Sequence, residues 1–265
     1  MDKGYVIIAQ NTDNVDYVGC AEVLAKSIYQ HMPDAKVSLI TSIKFKNDLF
    51  DQVIKFPYGD LDPKSNWKLI NDWQVYEASP YEYTIKLEAD MFLPRSIEHW
   101  WDVLKDRDLV VSTTIRNFKQ EISKSRAYRR FIDDNNLPDC YNSLTYFKKS
   151  DLAKQFFKIV RDIFENWESY KSILKCNPDE EVSTDWAYAL ACHILGKENT
   201  TLPSFEAMSM VHMKRFINDL PTENWTDTLV SELLPHTLRI NTYPQKYPFH
   251  YHIKSYADVL RKSYV

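Results

Sequence analysis

Two carboxylates separated by one alanine, Glu88 and Asp90, lie between two short apolar runs in the segment YTIKLEADMFLP, residues 83–94. Side chains alternate along a strand, so Glu88 and Asp90 should point to the same face at the end of a buried strand. Like charges held this close raise each other's pKa unless a cation lies near them. Carboxylate oxygens suit a hard divalent ion, and we therefore predict Mn²⁺ or Mg²⁺ here. The alternative is a strand-end turn whose acids face water.

Glycine usage limits how phosphates could be bound. The four glycines, Gly4, Gly19, Gly59 and Gly196, are isolated from one another. A Walker loop or a GxGxxG fingerprint needs clustered glycines that let backbone N–H groups approach phosphates. If the protein binds a nucleotide, another group must neutralise the phosphates, and a metal ion at Glu88 and Asp90 would do so.

Strands and helices alternate in the N-terminal half, which must position these acids. Strands are predicted in YVIIAQ, KVSLIT, YTIKLEADMFL and DLVVST, and NDLFDQVIKFP is predicted to be a short helix or turn followed by a strand. Helices are predicted in YVGCAEVLAKSIYQHM, NWKLINDWQVYEA and SIEHWWDVLK, the last capped by Ser96. Continuous apolar strands that alternate with helices predict an α/β fold with a mostly parallel sheet covered on both faces. Ligands bind at the carboxyl ends of such strands.

The second half is less regular. A long helix is predicted in SDLAKQFFKIVRDIFENWESYKSIL, capped by Ser150 or Asp151, and another in STDWAYALACHIL, which stops at Gly196. The final stretch, INTYPQKYPFHYHIKSYADVLRKSY, is predicted to be loop-like and then helical. We see no repeat or linker, so we predict one domain over residues 1–265.

Composition points to a cytoplasmic protein. The chain has 265 residues and a formal charge of −4, and its four cysteines are far apart, which favours reduced thiols. The N-terminal apolar run is too short for a signal peptide. No run approaches the roughly 18–20 apolar residues of a membrane span, so we predict no membrane segment. The oligomeric state is not predicted.

Four segments, in the expected order, resemble the GT-A glycosyltransferases, and most of all the glycogenin-like retaining family. They are the first strand–turn–helix–strand unit from YVIIAQ to SLIT, the segment from NWKLIN to the acid-bearing strand YTIKLEADMFL, the segment YNSLTYFKKS, and the histidine-containing C-terminal segment. The resemblance implies a GT-A-like fold, with a nucleotide-sugar-binding half in residues 1–113 and an acceptor-side half in residues 114–265.

The resemblance also implies roles at the donor site. Asp90 would be the principal metal carboxylate, and Glu88 would occupy the first DxD position, where the family normally has Asp. Ala9, Asn11 and Tyr17 would line the nucleoside pocket, with the Tyr17 ring stacked on the base. Packing is the alternative role for that ring.

Three further positions follow from the same resemblance. Lys68 lies where the family often has a basic residue that reaches the donor phosphates, although a solvated helix lysine is the alternative. Asn142 and Ser143 match the family's FNSG segment, in which Leu144 here replaces glycine. Asp185 would hold donor-sugar hydroxyls, or would be an acid favoured by a helix N-terminus.

The family's third metal ligand is a histidine near the end of the domain, often followed closely by a lysine. MVHMK offers His212, and FHYHIK offers His250 and His252. The HxH spacing would put two imidazoles on one face of an extended chain. We favour His252, with His212 as the rival, and Lys254 as a cation that stabilises the leaving group.

The predicted activity is metal-dependent transfer of a sugar from a UDP-sugar to a hydroxyl acceptor, with retention implied by the resemblance. Residues 114–130 carry a net charge of +5, so a duplex DNA acceptor is one hypothesis. The composition resembles that of large DNA phages, some of which glucosylate or arabinosylate hydroxymethylcytosine; the base would have to be flipped out. A solvated basic helix is the ordinary alternative for this segment.

Other functions stay open. A polysaccharide or protein acceptor would leave the donor site unchanged. A non-catalytic nucleotide-sugar-binding module is favoured by Glu88 at a position that is normally Asp. A nucleotidyltransferase ranks last, because such enzymes usually open with a glycine-rich loop.

Overall fold

A computed structural model of the chain describes residues 2–44, 47–65, 68–203, 206–235 and 237–263. The strands are β1 (Lys3–Ile8), β2 (Val37–Thr41), β3 (Gln52–Lys55), β4 (Tyr83–Glu88), β5 (Met91–Phe92), β6 (Leu109–Ser112), β7 (Thr114–Arg116), β8 (Tyr141–Lys148), β9 (Ser209–His212), β10 (Ser231–Leu234), β11 (Thr237–Ile240), β12 (Tyr243–Pro244) and β13 (Phe249–His250). The α-helices are α1 (Tyr17–His31), α2 (Val75–Ala78), α3 (Trp100–Leu104), α4 (Arg130–Asp134), α5 (Asp151–Glu165), α6 (Trp167–Lys171), α7 (Thr184–Leu195), α8 (Lys197–Thr200), α9 (Arg215–Asn218) and α10 (Tyr256–Lys262).

The central sheet has six strands in the order β3-β2-β1-β4-β8-β6. The first four are parallel, and β8 runs antiparallel to both β4 and β6. The carboxyl ends of the parallel strands therefore meet at one edge of the sheet. The mostly parallel α/β architecture predicted from the sequence is confirmed.

Alternating side chains of β1 explain why both faces of the sheet are covered. Tyr5 and Ile7 pack into a core layer that includes α1, whereas Val6 between them packs into the layer that includes α5 and α7. A strand whose consecutive residues are all apolar must bury both faces, and here helices cover each of them.

Two smaller sheets complete the fold. One has the order β5-β13-β9-β7, and the other joins β10, β11 and β12 as an antiparallel meander. The C-terminal stretch that we predict to be loop-like begins at the last residue of β11 and contains β12 and β13 before α10. These strands are two to four residues long, so their apolar period is too short to identify them from the sequence.

Several predicted helices have different limits. The segment NWKLINDWQVYEA forms a 3₁₀-helix at Leu69–Gln74 followed by α2. The helix after β5 starts at Trp100 rather than at Ser96, whose hydroxyl accepts a bond from the Glu98 N–H within a turn. The long helix divides at Asn166 into α5 and α6, and Ser150 caps it as predicted. Gly196 ends α7, also as predicted.

None of the helices within the described ranges combines the length and apolarity needed to cross a bilayer.

Candidate active site

A cavity of about 310 Å³ opens at the carboxyl ends of β1 and β4. Its wall comes from the strand ends, the start of α7 and the ends of β9 and β13. It is lined by Ile8, Gln10, Tyr17, Lys68, Leu69, Asp72, Glu88, Ala89, Asp90, Tyr141, Asn142, Ser143, Ser183, Thr184, Asp185, His212, Lys214, His250, His252 and Lys254. Most of the predicted site residues therefore lie around one cavity.

The two acids face one imidazole. Glu88 ends β4, and Asp90 lies in the turn before β5, whose Met91 pairs with His250 of β13. His250 Nε2 lies 3.0 Å from Asp90 Oδ2 and 3.6 Å from Glu88 Oε2. The carboxylates thus lie on the same side of the chain, as the alternation of side chains predicts.

The histidine in direct contact with the acids is His250 rather than the favoured His252. His250 still belongs to β13, whereas His252 follows the strand in a left-handed conformation with φ of 62°. The chain is not extended through both residues, yet a ligand atom of each imidazole lies within 4.8 Å of a carboxylate oxygen of Asp90.

All three histidines nevertheless gather near Asp90. His212 is the register partner of His250 in the parallel pair β9–β13, and their rings stack at 4.5 Å with a 24° interplanar angle. The His252 ring is edge-on to both, with centroids 5.9 and 6.2 Å away. One ligand atom from each of Asp90, His250 and His252 lies within 4.8 Å of the others. This set of donors fits a divalent metal ion.

Protonation states at the cluster suit metal binding. Burial acts to raise the pKa of Asp90, but His250 and Lys254 outweigh it and hold that pKa well below its ordinary value. Burial, followed by the charges of His250 and Lys214, lowers the pKa of His212 far below the ordinary value. Burial and His250 lower the pKa of His252 to about 3. An ionised carboxylate and neutral imidazoles are the forms that bind metals.

Glu88 differs from Asp90 in its electrostatics. Burial raises the pKa of Glu88, and the nearby charge of Asp90 raises it further against the influence of His250. Asn142 donates a hydrogen bond of 3.0 Å from Nδ2 to Glu88 Oε1. Asn142 therefore fixes the position of the Glu88 side chain, and Asp90 is the more readily ionised of the two acids.

Lys254 lies beside the acids, at the side of the cavity formed by Tyr17. Its Nζ is 2.9 Å from Asp90 Oδ2 and 5.8 Å from the centroid of the Tyr17 ring. Asn11 does not line the cavity; its side chain bonds Asp16 and the Val18 N–H, which fixes the start of α1. Ala9 is buried and donates its N–H to Ile40 O.

Lys68 lines the cavity but is not a solvated helix lysine. It precedes the 3₁₀-helix with φ of 50°, and its Nζ lies 2.8 Å from both Asp60 Oδ2 and Asp62 O. A donor phosphate would therefore meet this lysine already paired with a carboxylate.

Asp185 and Asn142 are joined by a contact that the sequence did not suggest. The Asn142 N–H donates to Asp185 Oδ1 at 2.9 Å, and Arg129 Nη1 donates to Asp185 Oδ2 at 3.0 Å. The side chain of Arg129 is 1% exposed and also pairs with Asp139. Asp185 does lie in the first turn of α7, but an arginine rather than the helix terminus alone balances its charge.

A second buried polar network contacts β4, the strand that ends at Glu88. Lys86 of β4 has a fully buried side chain that pairs with Asp72 at 2.6 Å and donates to Asn142 O at 3.0 Å. Tyr188 of α7 donates its hydroxyl to the other oxygen of Asp72. Sequence reasoning missed Lys86, although a lysine inside an apolar strand is a sign of a buried partner.

The basic segment 114–130 is not a helix. It starts as β7, turns, and reaches α4 only at Arg130. Arg116 donates to Ser209 and Gln120 O and lies 4.2 Å over the Tyr247 ring, while Arg126 pairs with Asp133 and Asp139. All four of its arginines therefore make contacts within the protein, although the pair between Arg130 and Asp134 is exposed.

Comparisons with known proteins give matches among solved structures. No protein-family model and no curated protein sequence matches the chain. Among solved structures, the bifunctional glycosyltransferase WbbM matches with a TM-score of 0.50 at 12% identity, over 85% of this chain and 43% of that one. The galactosyltransferase LgtC matches with a TM-score of 0.47 at 15% identity, over 69% of this chain and 68% of that chain. Mouse xyloside xylosyltransferase 1 matches with a TM-score of 0.46 at 8% identity, over 77% of this chain and 85% of that chain.

Identities this low establish a likeness of architecture and not of activity. The chain spans less than half the length of WbbM, the structure with the highest of these TM-scores. The strand order, the acid-bearing strand end and this match together give the chain the fold of the GT-A glycosyltransferases.

Proposed function

We propose that the protein is a metal-dependent glycosyltransferase that moves a sugar from a UDP-sugar to a hydroxyl acceptor. The observation that carries the proposal is the gathering of Asp90, His250 and His252 donor atoms within 4.8 Å in the strand-end cavity. Asp90, His250 and His252 would hold the metal, with Glu88 beside the imidazole of His250. Mn²⁺ fits this mixed oxygen and nitrogen set better than Mg²⁺.

The metal and three of the cavity residues would then have distinct roles. A bound divalent ion would neutralise the diphosphate and stabilise the departing nucleotide. Lys254 places a second positive charge beside Asp90, at the same end of the donor. Asn142 and Asp185 present amide and carboxylate groups that suit the hydroxyls of the transferred sugar. Retention of configuration and transfer of a hexose or a pentose remain part of the proposal.

The proposal leaves the acceptor at the level of a hydroxyl group. A DNA acceptor draws no support from residues 114–130, because Arg116, Arg126 and Arg129 are committed to contacts within the protein.

The test is UDP release from a panel of UDP-sugars in the presence of Mn²⁺, with Asp90→Asn as the variant. The exposed Asp102→Asn is the matched control, because it makes the same chemical change at a side chain that is 85% exposed. We expect release from at least one donor to fall by about 10²–10³-fold in Asp90→Asn and to be unchanged in the control.

Tight UDP binding without release or transfer would contradict the proposal and favour a binding module. Failure of every UDP-sugar and of UDP itself to bind would contradict the donor assignment as a whole.

A further inference from the structure

Gln10 is a buried amide in the wall of the cavity. It lies two residues after the end of β1, is 5% exposed and lines the cavity. Its Nε2 has no hydrogen-bond partner among the residues that the structure describes. A buried donor without a partner is unfavourable, so such a group points to a ligand that satisfies it.

Hydrogen bonds from neighbouring residues determine which way this amide faces. The Leu61 backbone N–H donates to Asn71 Oδ1 at 2.9 Å, so the oxygen of Asn71 is identified by a group that can only donate. Asn71 Nδ2 therefore donates, at 2.8 Å to Asp60 Oδ1 and at 3.0 Å to Gln10 Oε1.

The carboxylate in this chain of bonds is a reliable acceptor. Burial acts to raise the pKa of Asp60, but the hydrogen bonds from Lys68 and Asn71 outweigh it and lower the pKa. An ionised Asp60 can accept and cannot donate, which fixes the orientation of Asn71 a second time. Gln10 is left with its carbonyl oxygen used and its two N–H donors unused.

We propose that Gln10 is the residue that selects the nucleobase, and that it selects uracil by donating to the O4 carbonyl. The inference rests on the proposed function, because it concerns the UDP part of the donor. Ile8 and Leu69, which line the cavity and are partly buried, offer apolar surface to a base. Cytosine carries an amine where uracil has O4. This amine would face the Gln10 Nε2 donor, and neither group would have a hydrogen-bond acceptor.

Binding of nucleotides to the full chain tests this without any assay of turnover. Titration calorimetry with UDP and CDP, each with Mn²⁺, would be done on the wild type, Gln10→Leu and Gln10→Glu. Leucine keeps roughly the volume and removes the donors, and glutamate replaces the amine with an acceptor. The exposed Gln155→Glu is the control for the added charge.

We expect the wild type to prefer UDP over CDP by about 10- to 100-fold. Gln10→Leu should lose that preference through weaker UDP binding, with CDP binding unchanged. Gln10→Glu should favour CDP, and Gln155→Glu should behave as the wild type. Thermal unfolding of each variant checks that the fold is retained.

Equal weakening of UDP and CDP binding in Gln10→Leu would overturn the inference. It would mean that the Gln10 amide donates to a group that uracil and cytosine share, rather than to O4 of uracil. An unchanged UDP preference in Gln10→Leu, or a wild-type preference for any other base, would overturn it as well. Wild-type protein that binds no nucleotide would instead overturn the proposed function, and the inference with it.

Discussion

At the scale of single residues, the metal preference of the cluster follows from its nitrogen atoms. His250 touches Asp90, and His212 and His252 lie within ring-contact distance of it. Imidazole nitrogen suits transition metals, whereas Mg²⁺ prefers oxygen and water. We expect the protein to bind Mn²⁺ at least about 10-fold more tightly than Mg²⁺ by calorimetry.

Calorimetry with Mn²⁺ also tests how much His250 contributes to metal affinity. Loss of even an outer-shell partner costs about 10–100-fold in metal affinity, so His250→Asn should weaken Mn²⁺ binding by at least that factor. The exposed His193→Asn is the control and should bind as the wild type. Equal binding by His250→Asn and the control would remove His250 from the ligand set and return attention to His252 or His212.

The lowered pKa values of two histidines predict how the metal-free protein responds to acid. The pKa of His252 is about 3 and that of His212 is also lowered, so the unfolded chain binds protons below about pH 6.5 that the folded chain does not. Stability should therefore fall as pH drops from about 6.5 to 4, with each histidine contributing at most about 1.4 kcal/mol per pH unit.

The contribution of Asp90 to this pH dependence can be separated from that of the histidines, and a His212→Asn variant tests the latter. The pKa of Asp90 is lowered, so its stabilising effect is present above about pH 4 and is lost only below that. Urea unfolding in chelator between pH 4 and 7 is the measurement, and His212→Asn should flatten the slope in this window. An identical slope in His212→Asn would show that this histidine is not buried in its neutral form.

At the scale of elements, Arg129 joins the segment before α4 to α7 and to the start of β8. Its guanidinium pairs with Asp139 and Asp185, bonds Cys140 O and lies 4.1 Å over the Tyr141 ring. Removing one partner of a buried ion pair leaves uncompensated charge and costs about 3–5 kcal/mol. We expect Arg129→Ala to lower the free energy of unfolding by about 3 kcal/mol, measured in urea.

The adjacent arginine provides the contrast. Arg130 pairs with Asp134 through a side chain that is 88% exposed, and exposed pairs contribute little. Arg130→Ala should change the free energy of unfolding by less than about 0.5 kcal/mol. Similar effects of the two substitutions would contradict the structural role of Arg129 and would reopen the DNA-contact hypothesis for residues 114–130.

At the scale of the whole molecule, ligand binding should stabilise the fold because the site gathers distant segments. Asp90 and His250 are 160 positions apart in the chain and meet only when the protein is folded. A ligand that binds only the folded state at about 100 times its Kd adds about 2.7 kcal/mol of stability. For a chain of 265 residues, we expect Mn²⁺ with UDP to raise Tm by at least about 5 °C.

Scanning fluorimetry measures this shift, and Asp90→Asn should abolish most of it. Asp102→Asn, which leaves the cluster intact, should show the full shift. A wild-type Tm that does not respond to Mn²⁺ and UDP together would mean that the cavity binds neither.

The amino-acid sequence by itself determined the features that depend on local periods and on chain ends. Alternation of apolar strands with helices predicted the mostly parallel sheet, and Glu88 and Asp90 marked the strand end at which the cavity lies. Ser150 and Gly196 were identified as helix ends because capping acts within one turn of the chain.

Only the tertiary structure decided which distant residues meet those acids. His250 rather than His252 touches Asp90 because β13 pairs with β5 and β9, and the chain leaves the strand before His252. The partnership of Arg129 with Asp185 spans 56 positions, and no local pattern marks it. Strand pairing and ion pairing between remote segments depend on how the whole chain packs, whereas periodicity reports only on near neighbours.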